Sequence, residues 1–393
     1  MTGNFNIKQN LKQNIMLIAL IGVMLVFELA IQAQAKPSLF SPGNISNLIS
    51  QNAYVVVLAT GMLLCILTGG NIDLSVGSVV CFVGAVAGTL IVDMQMNIYL
   101  AVICCLLVGL AIGSFQAFWI AYVRIPPFIV TLAGMLLWRG LANMILGGLT
   151  ISPFPANYLR YFTSFIPGGE NASLTSVVSV VIGIVVSAVY ISFEVLGRIK
   201  KIRKKYATTP FPVWIAKIIV ISAVILALAF LLGNNKGIPV ILVLIGIVVL
   251  GYGYFTSKTV PGRYLYAIGG NEKAAKMSGV DTNKMLFFAY ANMGFLAGLT
   301  ALICVARFNS ASPSAGNNYE LDAIASCFIG GASAYGGVGS VGGAVIGAIF
   351  MGVLNQGMSI VGGVLADANF QRAVKGAVLL LFVVIDVVSK KKK

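Results

Sequence analysis

The sequence predicts an all-α, polytopic integral membrane protein with about 10–12 transmembrane helices, a short cytoplasmic helix, and broken or re-entrant glycine-rich segments. Of its 393 residues, 59% are hydrophobic and only 9% are charged, and the mean hydropathy is +0.96. A soluble domain of this length carries about a quarter of its residues as charges. The uncharged runs are also longer than a buried core helix requires, so we expect one transmembrane domain over residues 1–393.

Twelve apolar segments approach or exceed the roughly 20 residues that a spanning helix needs. The tenth is short and ends in glycines, so we expect it to be broken or re-entrant. Within it, Asp322 is expected to cap the helix start rather than to act as an acid with Glu320. The segments are residues 15–35, 48–68, 74–93, 97–121, 126–147, 173–196, 212–233, 238–256, 285–305, 321–335, 340–362 and 371–389.

The amino terminus has two interpretations. Lys8 and Lys12 precede the first apolar run, and the triplet Ala-Gln-Ala follows it at 33–35, which together mimic a signal peptide. The run is long enough to span a membrane, and Glu28 interrupts its end. We therefore favour an uncleaved first helix behind a cytoplasmic tail at residues 1–14, with cleavage as the alternative.

The positions of Lys and Arg account for the net charge of +15. Most of them fall in segments that a twelve-span topology places on one side, including Arg124, 198–205, 257–284 and the basic tail 390–393. The positive-inside rule makes this side cytoplasmic and places both termini there, so no nucleic-acid partner is needed. We interpret 198–205 as a topology anchor beside membrane phospholipids, with a specific lipid site as the alternative.

The polar stretch 257–284 lies between two predicted spans. Asn271 is a suitable helix N-cap, Glu272 lies in the first turn where the helix dipole favours an anion, and Gly279 can end the helix in a left-handed conformation. A second start signal follows at Asp281. The sequence therefore predicts a helix of about two turns on the cytoplasmic surface, which is either part of an ordered loop or a docking element.

Two glycine-rich stretches, 68–79 and 329–341, resemble each other. Both contain a Gly-Gly pair, both end in Val-Gly-Ser-Val, and each opens a glycine-rich span. This similarity predicts a duplicated pair of half-molecules, a common construction in transporters. Interrupted helices at membrane depth are tolerated only where they are buried or line a cavity, so the two stretches also indicate a pathway.

The sequence lacks the motifs of common catalytic sites. It contains no histidine and no P-loop of the form G-x-x-x-x-G-K-[ST]. Its six cysteines all fall in apolar segments without metal-ligand spacing, and we interpret them as small hydrophobic residues. We therefore expect a protein that is not an enzyme, with no metal site and no cofactor of its own.

A translocation pathway is predicted from polar residues in or beside the spans. Neutral amide and hydroxyl groups suit an uncharged polyhydroxylated solute, whereas an ion-coupled carrier is expected to place more ionisable residues within its spans. Hydrogen bonding between helices uses the same residue types and is the alternative role for each of them. The candidates are Asn52, Asp73, Ser75, Gln116, Thr131, Arg139, Asn143, Asn292, Asn355 and Gln356.

Five specific stretches carry a family resemblance that covers most of the chain: GGNIDLSVGSVV at 69–80, RIPPFIVTLAGMLLWRGLA at 124–142, GRYLYAIGGNEKAAKMSGV at 262–280, a serine- and glycine-rich run at 312–348, and VLNQGMS at 353–359. Together these resemble the permease subunits of bacterial ABC importers for monosaccharides, of the ribose, galactose and xylose type. The resemblance is closest to the multiple-monosaccharide permease.

The resemblance implies a permease in the bacterial cytoplasmic membrane that imports a monosaccharide of the xylose, glucose, galactose or arabinose class. It implies three partners: a separate ATPase subunit that binds ATP and Mg, an extracytoplasmic sugar-binding protein, and a second copy of the chain in a homodimer. Membrane lipid surrounds such a protein. A secondary sugar transporter or facilitator that acts without an ATPase is the alternative.

In this family a short cytoplasmic helix of the permease enters a groove of the ATPase. Lys273-Ala274-Ala275 followed by Gly279 is similar to the family's E-A-A-x-x-x-G coupling signature, with lysine at the usual glutamate position. A basic hairpin at 198–251 resembles one found in the xylose and multiple-sugar members. The coupling residues that the resemblance implies are Gly270, Asn271, Glu272, Lys273, Ala274, Ala275 and Gly279.

Overall fold

The computed structural model describes residues 15–168, 172–206 and 208–391, and these residues fold as helices joined by short loops. The helices are α1 (Ile15–Gln32), α2 (Pro42–Leu67), α3 (Val76–Gly88, continued by a π-helical turn Thr89–Asp93), α4 (Ile98–Ala121), α5 (Pro127–Leu146), α6 (Ala156–Thr163), α7 (Ala172–Arg203), α8 (Phe211–Gly233), α9 (Val240–Lys258), α10 (Val260–Gly270), α11 (Glu272–Met277), α12 (Thr282–Phe308), α13 (Tyr319–Ile329), α14 (Val341–Val361) and α15 (Ala368–Lys391). A 3-10 turn covers Gly363–Ala366, and two short strands, β1 (Phe165–Ile166) and β2 (Ile238–Pro239), pair antiparallel.

Nine helices in the described part of the chain are long and apolar enough to cross a membrane: α2, α3 with its π-helical turn, α4, α5, α7, α8, α9, α12 and α14. Helices α1, α13 and α15 coincide with the other three predicted segments. The prediction of an all-α, polytopic membrane protein is confirmed. With 11 residues, α13 is about 16 Å long, roughly half the hydrocarbon core, so the tenth segment is a broken helix.

The centre of the molecule is built on α2 and α12, most of whose residues are buried. Helix α4 packs closely against α12 through two pairs of glycines. A Cβ atom added to Gly109 would lie 2.6 Å from the carbonyl oxygen of Gly294 and 3.0 Å from the Cα of Gly298. A Cβ added to Gly113 would lie 2.8 Å from the Cα of Gly294. Small residues at this spacing allow backbones to approach in a membrane interior, where apolar burial adds little to association.

The start of α13 corrects one sequence prediction. The N-cap residue is Asn318, in a left-handed conformation, and Asp322 lies one turn inside the helix with only 3% of its surface exposed. The prediction that Asp322 caps this segment is wrong. Local capping rules favoured it, but long-range partners described below use its carboxylate instead.

The loops separate into two sides of the helical body. On one side, the turn at Arg124 between α4 and α5 contacts α11 and the start of α12. On the other side, Ile151 forms a backbone bridge with Ala311, and β1 pairs with β2. Helix α7 begins on the β1 side, so its basic end returns to the side of Arg124.

Helices α7 and α8 form an antiparallel hairpin that is mostly exposed along its length. The hairpin spans residues 172–233, and α9, which follows it, packs against α2 in the central body. The described pair therefore starts earlier than the predicted limits of 198–251 and excludes α9. That this region is an insertion stays a prediction.

Candidate functional site

Helix α11 is defined by the capping residues expected for it. The side chain of Asn271 accepts a hydrogen bond from the amide of Ala274 at 3.0 Å, and Gly279 ends the element with φ +83°. Asp281 then caps α12 by accepting from the amide of Lys284 at 3.1 Å. This hydrogen bond holds the pKa of Asp281 below its ordinary value. The predicted short helix and both of its ends are confirmed.

One face of α11 is free of protein contacts within the described chain. Lys273 and Ala274 are exposed, and 91% of the Met277 surface is accessible. Gly270 is also exposed just before the helix. Ala275, by contrast, is buried and packs against the body. The small residue available to a partner on this helix is therefore Ala274, and Ala275 fixes α11 to its own chain.

Arg124 connects α11 to two other elements, a role that sequence reasoning missed. Its guanidinium donates to the Glu272 carboxylate at 2.7 Å, to the Thr282 hydroxyl at 3.1 Å and to the side-chain oxygen of Asn283. Arg124 and Glu272 are both close to half exposed. The planar guanidinium supplies several donors at fixed angles, which suits it to hold three acceptors at once. We call these four residues the Arg124 clasp.

The two similar glycine-rich stretches meet in space. The amide of Gly337, in the second stretch, donates to the carbonyl of Leu67 at the end of α2 at 3.1 Å. A Cβ added to Gly336 would overlap the backbone of Gly69 and Gly70. Gly70 has φ +74° and Gly336 has φ +83°, so both positions favour glycine for conformation as well as for space. The breaks at 68–75 and 330–340 thus share one backbone contact.

Helix α10, which leads into α11, closes this contact from a third side. A Cβ added to Gly269 would lie 2.8 Å from the Cα of Gly337 and would overlap the Leu67 carbonyl oxygen and the Gly337 amide nitrogen. The Tyr266 hydroxyl donates to the carbonyl of Gly339 at 3.0 Å. We call the contact among Leu67, Gly269 and Gly337 the glycine junction. It connects α10 directly to two broken helices: α2 with α3, broken at 68–75, and α13 with α14, broken at 330–340.

A polar cluster lies at the start of α3. The Ser75 hydroxyl is 2.6 Å from Asp73 Oδ1 and 3.0 Å from Gln116 Oε1, and the Ser75 amide also donates to Asp73 at 2.8 Å. All three residues are buried. The Gln116 Nε2 atom has no hydrogen-bond partner among the described residues. Thr131 is buried on α5, and its hydroxyl donates to the carbonyl of Phe128 in its own helix at 3.4 Å.

Arg139 contacts the series of turns that leads into α13. Its guanidinium donates to the carbonyl of Pro313 at 3.1 Å and to that of Ala315 at 2.6 Å. The next residue, Gly316, has φ +72° and lies against Gly77 at the start of α3. The two broken elements therefore contact each other at their helix starts as well as at the glycine junction.

A polar cavity lies where α2, α13, α14 and α15 meet. It has two adjoining chambers of about 350 and 340 Å³. The Lys375 ammonium bonds both carboxylate oxygens of Asp322, at 2.9 and 3.2 Å, and the Tyr54 hydroxyl donates to the same carboxylate at 2.6 Å. The ring of Tyr54 stacks on that of Tyr319, with centroids 3.9 Å apart. Asn355 lines one chamber, and its side-chain oxygen has no partner among the described residues.

Sequence reasoning missed Tyr54, Tyr319, Asp322 and Lys375 as pathway candidates. One signal was available: Asp322 and Lys375 carry opposite charges inside apolar segments. An ionisable residue at membrane depth is a candidate functional residue, and it usually pairs with another charge or with backbone carbonyls.

The ten predicted pathway residues do not form one site. Asn52 and Gln356 make helix contacts, donating to the carbonyls of Ala348 at 2.6 Å and Asn44 at 2.7 Å. Asn292 accepts from Tyr252 between α9 and α12, and Asn143 is exposed near the end of α5. The structure brings Asp73, Ser75 and Gln116 together, places Asn52 and Asn355 at the polar cavity, and places Thr131 and Arg139 separately on α5.

Comparison with known proteins places this architecture among transport proteins. The xylose transport system permease protein XylH of Haemophilus influenzae is 37% identical over 384 residues, which cover 98% of this chain and 98% of the relative. XylH of Escherichia coli K12 is 35% identical over 98% of this chain and 93% of its own length. The ribose import permease protein RbsC of E. coli K12 is 34% identical over 93% and 92%. No solved structure matches the chain.

A family model described as "Branched-chain amino acid transport system / permease component" matches residues 44–383. The match includes both glycine-rich breaks, the glycine junction and α11. Together with the identity to XylH and RbsC, it confirms the resemblance to ABC permeases that the sequence motifs indicated. The chain belongs to this family of transport permease components.

Proposed function

We propose that this chain is the permease subunit of an ATP-driven importer for a monosaccharide of the xylose, glucose, galactose or arabinose class. A separate ATPase subunit, with ATP and Mg, supplies the energy. The relatives named for xylose and ribose transport support the substrate class. The observation that carries the coupling is geometric: α11 presents an exposed face and connects through α10 to both broken helices.

Asn271 makes the link between α10 and α11 short and defined. Its amide donates to the carbonyl of Ala267 in α10 at 3.0 Å, and its side chain accepts from Ala274 in α11 at 3.0 Å. One residue therefore ends the first helix and begins the second. A displacement of α11 by an ATPase is passed to Gly269, and from there to the two breaks, without a flexible linker. The two states must differ in these contacts for ATP to drive the transition.

The polar cavity is the proposed place where sugar passes through the broken helices. Stacked tyrosine rings, an amide oxygen without a partner and a buried ion pair offer both apolar and hydrogen-bonding surface. Such a combination suits a ring with an apolar face and several hydroxyl groups. Each chamber is within the size range of small-molecule pockets.

The proposed assembly is a homodimer in the bacterial cytoplasmic membrane, with both termini in the cytoplasm and an extracytoplasmic sugar-binding protein on the opposite side. The basic end of α7 lies on the same side as α11, which agrees with the positive-inside rule. Cysteine labelling tests the orientation: Lys204→Cys is expected to react from the cytoplasm and Asn157→Cys from outside. The reverse pattern would overturn it.

A secondary transporter or facilitator that acts without an ATPase is the second candidate. The ion pair of Asp322 and Lys375 favours it, because ion-coupled carriers place ionisable pairs within their spans. The two candidates differ in their energy source. Uptake that stops when ATP is depleted supports the importer, whereas uptake that stops with an ionophore but survives ATP depletion supports the carrier.

Co-purification tests the coupling assignment. We expect the wild-type chain to retain a stoichiometric ATPase when it is purified from membranes in mild detergent. Ala274→Glu is expected to lose the ATPase, because the new carboxylate would lie on the exposed face of α11 where the ATPase is proposed to dock. The matched control is Ala33→Glu, an exposed alanine beyond the end of α1. If both variants retain the ATPase, the proposal that α11 is the docking element is refuted. Sugar transport by the purified chain alone in liposomes would establish the facilitator.

A further inference from the structure

The end of the α7–α8 hairpin at residues 190–217, which we call the hairpin foot, contains a cavity that has no role in the proposed transport function. It has a volume of about 410 Å³ and lies between the last turns of α7 and the first turns of α8. Arg198, Lys201 and Lys217 line it, together with the carboxylate of Glu194 and the indole of Trp214. The lining is therefore net positive by two charges. Lys217 already bonds Glu194 at 2.6 Å, and among the described residues neither Arg198 nor Lys201 forms an ion pair with a carboxylate.

Arg198 is held in place by its surroundings. Its guanidinium carbon lies 4.6 Å from the ring centroid of Trp214 and 5.5 Å from that of Phe211, and one nitrogen donates to the carbonyl of Thr209 at 3.1 Å. Stacking on aromatic rings and one hydrogen bond fix the plane of the group while leaving further N–H donors available. A planar guanidinium fixed in this way is suited to bind a phosphate through two parallel hydrogen bonds.

The cavity lies at the depth of lipid headgroups. Helix α7 begins at residue 172 on the opposite side, and about 20 helical residues cross the hydrocarbon core. Arg198 and Lys201 therefore lie just beyond the core, on the side of α11. Phe193, at the cavity, is 73% exposed, and Val189 and Val220 just above it are 50% and 60% exposed. A ligand bound at the foot can therefore lay apolar chains along both helices.

We propose that the hairpin foot binds the phosphate headgroup of an anionic phospholipid, with Arg198 and Lys201 contacting the phosphate and the acyl chains lying against the exposed face of α7 and α8. A soluble phosphate would use the charges but not the apolar groove above them. A basic pocket between helices at the cytoplasmic face matches the chemistry of a cardiolipin or phosphatidylglycerol headgroup. The site is independent of the substrate and of the ATPase.

Lipid binding to the purified full-length chain tests this proposal, by native mass spectrometry and by thermal shift. We expect cardiolipin and phosphatidylglycerol to bind more tightly than phosphatidylcholine with the same acyl chains. Each basic side chain near an anionic headgroup contributes about fivefold in affinity, so Arg198→Gln/Lys201→Gln is expected to lose about 30-fold. Arg198→Lys keeps the charge but loses the stacking and the paired donors, so its lipid affinity is expected to lie between those of the wild type and the double variant.

The matched control is Arg203→Gln/Lys204→Gln, which removes the same charge from the same basic stretch but outside the cavity. We expect this variant to keep nearly all of its affinity. If the two double variants lose lipid affinity equally, the lipid is attracted by the whole basic stretch and not by a specific site, which would overturn the proposal. Equal binding of phosphatidylcholine, or displacement of the lipid by the same concentration of inorganic phosphate, would also overturn it. Unchanged melting temperatures without lipid show that each variant is folded.

Discussion

Replacing Gly269 with alanine tests the glycine junction directly. The added methyl group would lie 2.8 Å from the Cα of Gly337 and would overlap the Leu67 carbonyl oxygen and the Gly337 amide. All of these are backbone atoms, so no side chain can rotate away to make room. Helix α10 must separate from the two broken helices. The matched control is Gly270→Ala, the next residue in the same helix, where a Cβ would meet nothing within 4 Å.

The expected cost follows from the contacts that separate. Forcing a methyl group into a packed interface costs about 1–3 kcal/mol in the free energy of unfolding. Weakening the hydrogen bond from Gly337 to Leu67 adds about 0.5–1.5 kcal/mol. The higher helix propensity of alanine returns up to about 1 kcal/mol near a helix end. We therefore expect Gly269→Ala to be destabilised by about 0.5–4.5 kcal/mol, and Gly270→Ala to be neutral or slightly more stable.

The assay combines thermal unfolding in detergent with sugar uptake and ATP hydrolysis by the reconstituted importer. Gly269→Ala is expected to bind the ATPase, because the exposed face of α11 is unchanged, but to lose uptake and the stimulation of hydrolysis by the sugar-binding protein. Gly270→Ala is expected to melt like the wild type, because its methyl group meets nothing within 4 Å; it controls for packing and not for docking, since Gly270 is among the predicted coupling residues. If both alanine variants melt and transport alike, the glycine junction does not transmit the motion, and the inference from backbone contact is refuted.

Three further perturbations test the ion pair, the Arg124 clasp and the end of α11. Lys375→Met leaves the buried Asp322 carboxylate without its cation and is expected to lower the free energy of unfolding by about 3 kcal/mol. The double variant Lys375→Met/Asp322→Asn is expected to recover most of this loss. Equal melting temperatures of the single and double variants would contradict the prediction. Arg124→Gln is expected to lower stability by at most about 1 kcal/mol, because its pair with Glu272 is exposed, and a larger drop in melting temperature would show that the clasp is stronger. Gly279→Pro is expected to abolish uptake with normal membrane insertion, since proline cannot adopt φ +83°, and parental uptake would count against a coupling role.

The local features of the fold could be predicted from the sequence because their causes are local. Asn271, Gly279 and Asp281 determine helix ends through capping bonds with residues three positions away or through their own backbone angle. The broken tenth segment was visible in its length and its glycines. Transmembrane helices were visible because hydropathy is a property of each segment by itself.

The site depended on contacts between distant parts of the chain. Asp322 and Lys375 are 53 residues apart, and Arg124 and Glu272 are 148 apart. Capping rules, which consider only neighbouring residues, wrongly predicted Asp322 as the N-cap of this helix. A Cβ atom added to Gly269 would meet two other backbone segments, whereas one added to Gly270 would meet nothing within 4 Å. The sequence around these two glycines does not distinguish them. Pairings of this kind follow from packing, which one sequence does not display.

Besides the packing of Ala275, α11 is attached through the Arg124 clasp and through its link to α10, and these two attachments differ in strength. The Arg124 clasp is a half-exposed ion pair with two further hydrogen bonds, and exposed pairs contribute only about 0–1 kcal/mol. Directly before Glu272, Asn271 links α11 to α10, and Gly269 of α10 lies in a backbone contact that has no room for even one methyl group. If a partner moves α11 as proposed, we expect the contacts of the clasp to break before those of the glycine junction, which we expect to move together with the broken helices. The predicted order is therefore release of Arg124 first and displacement of the breaks at 68–75 and 330–340 second.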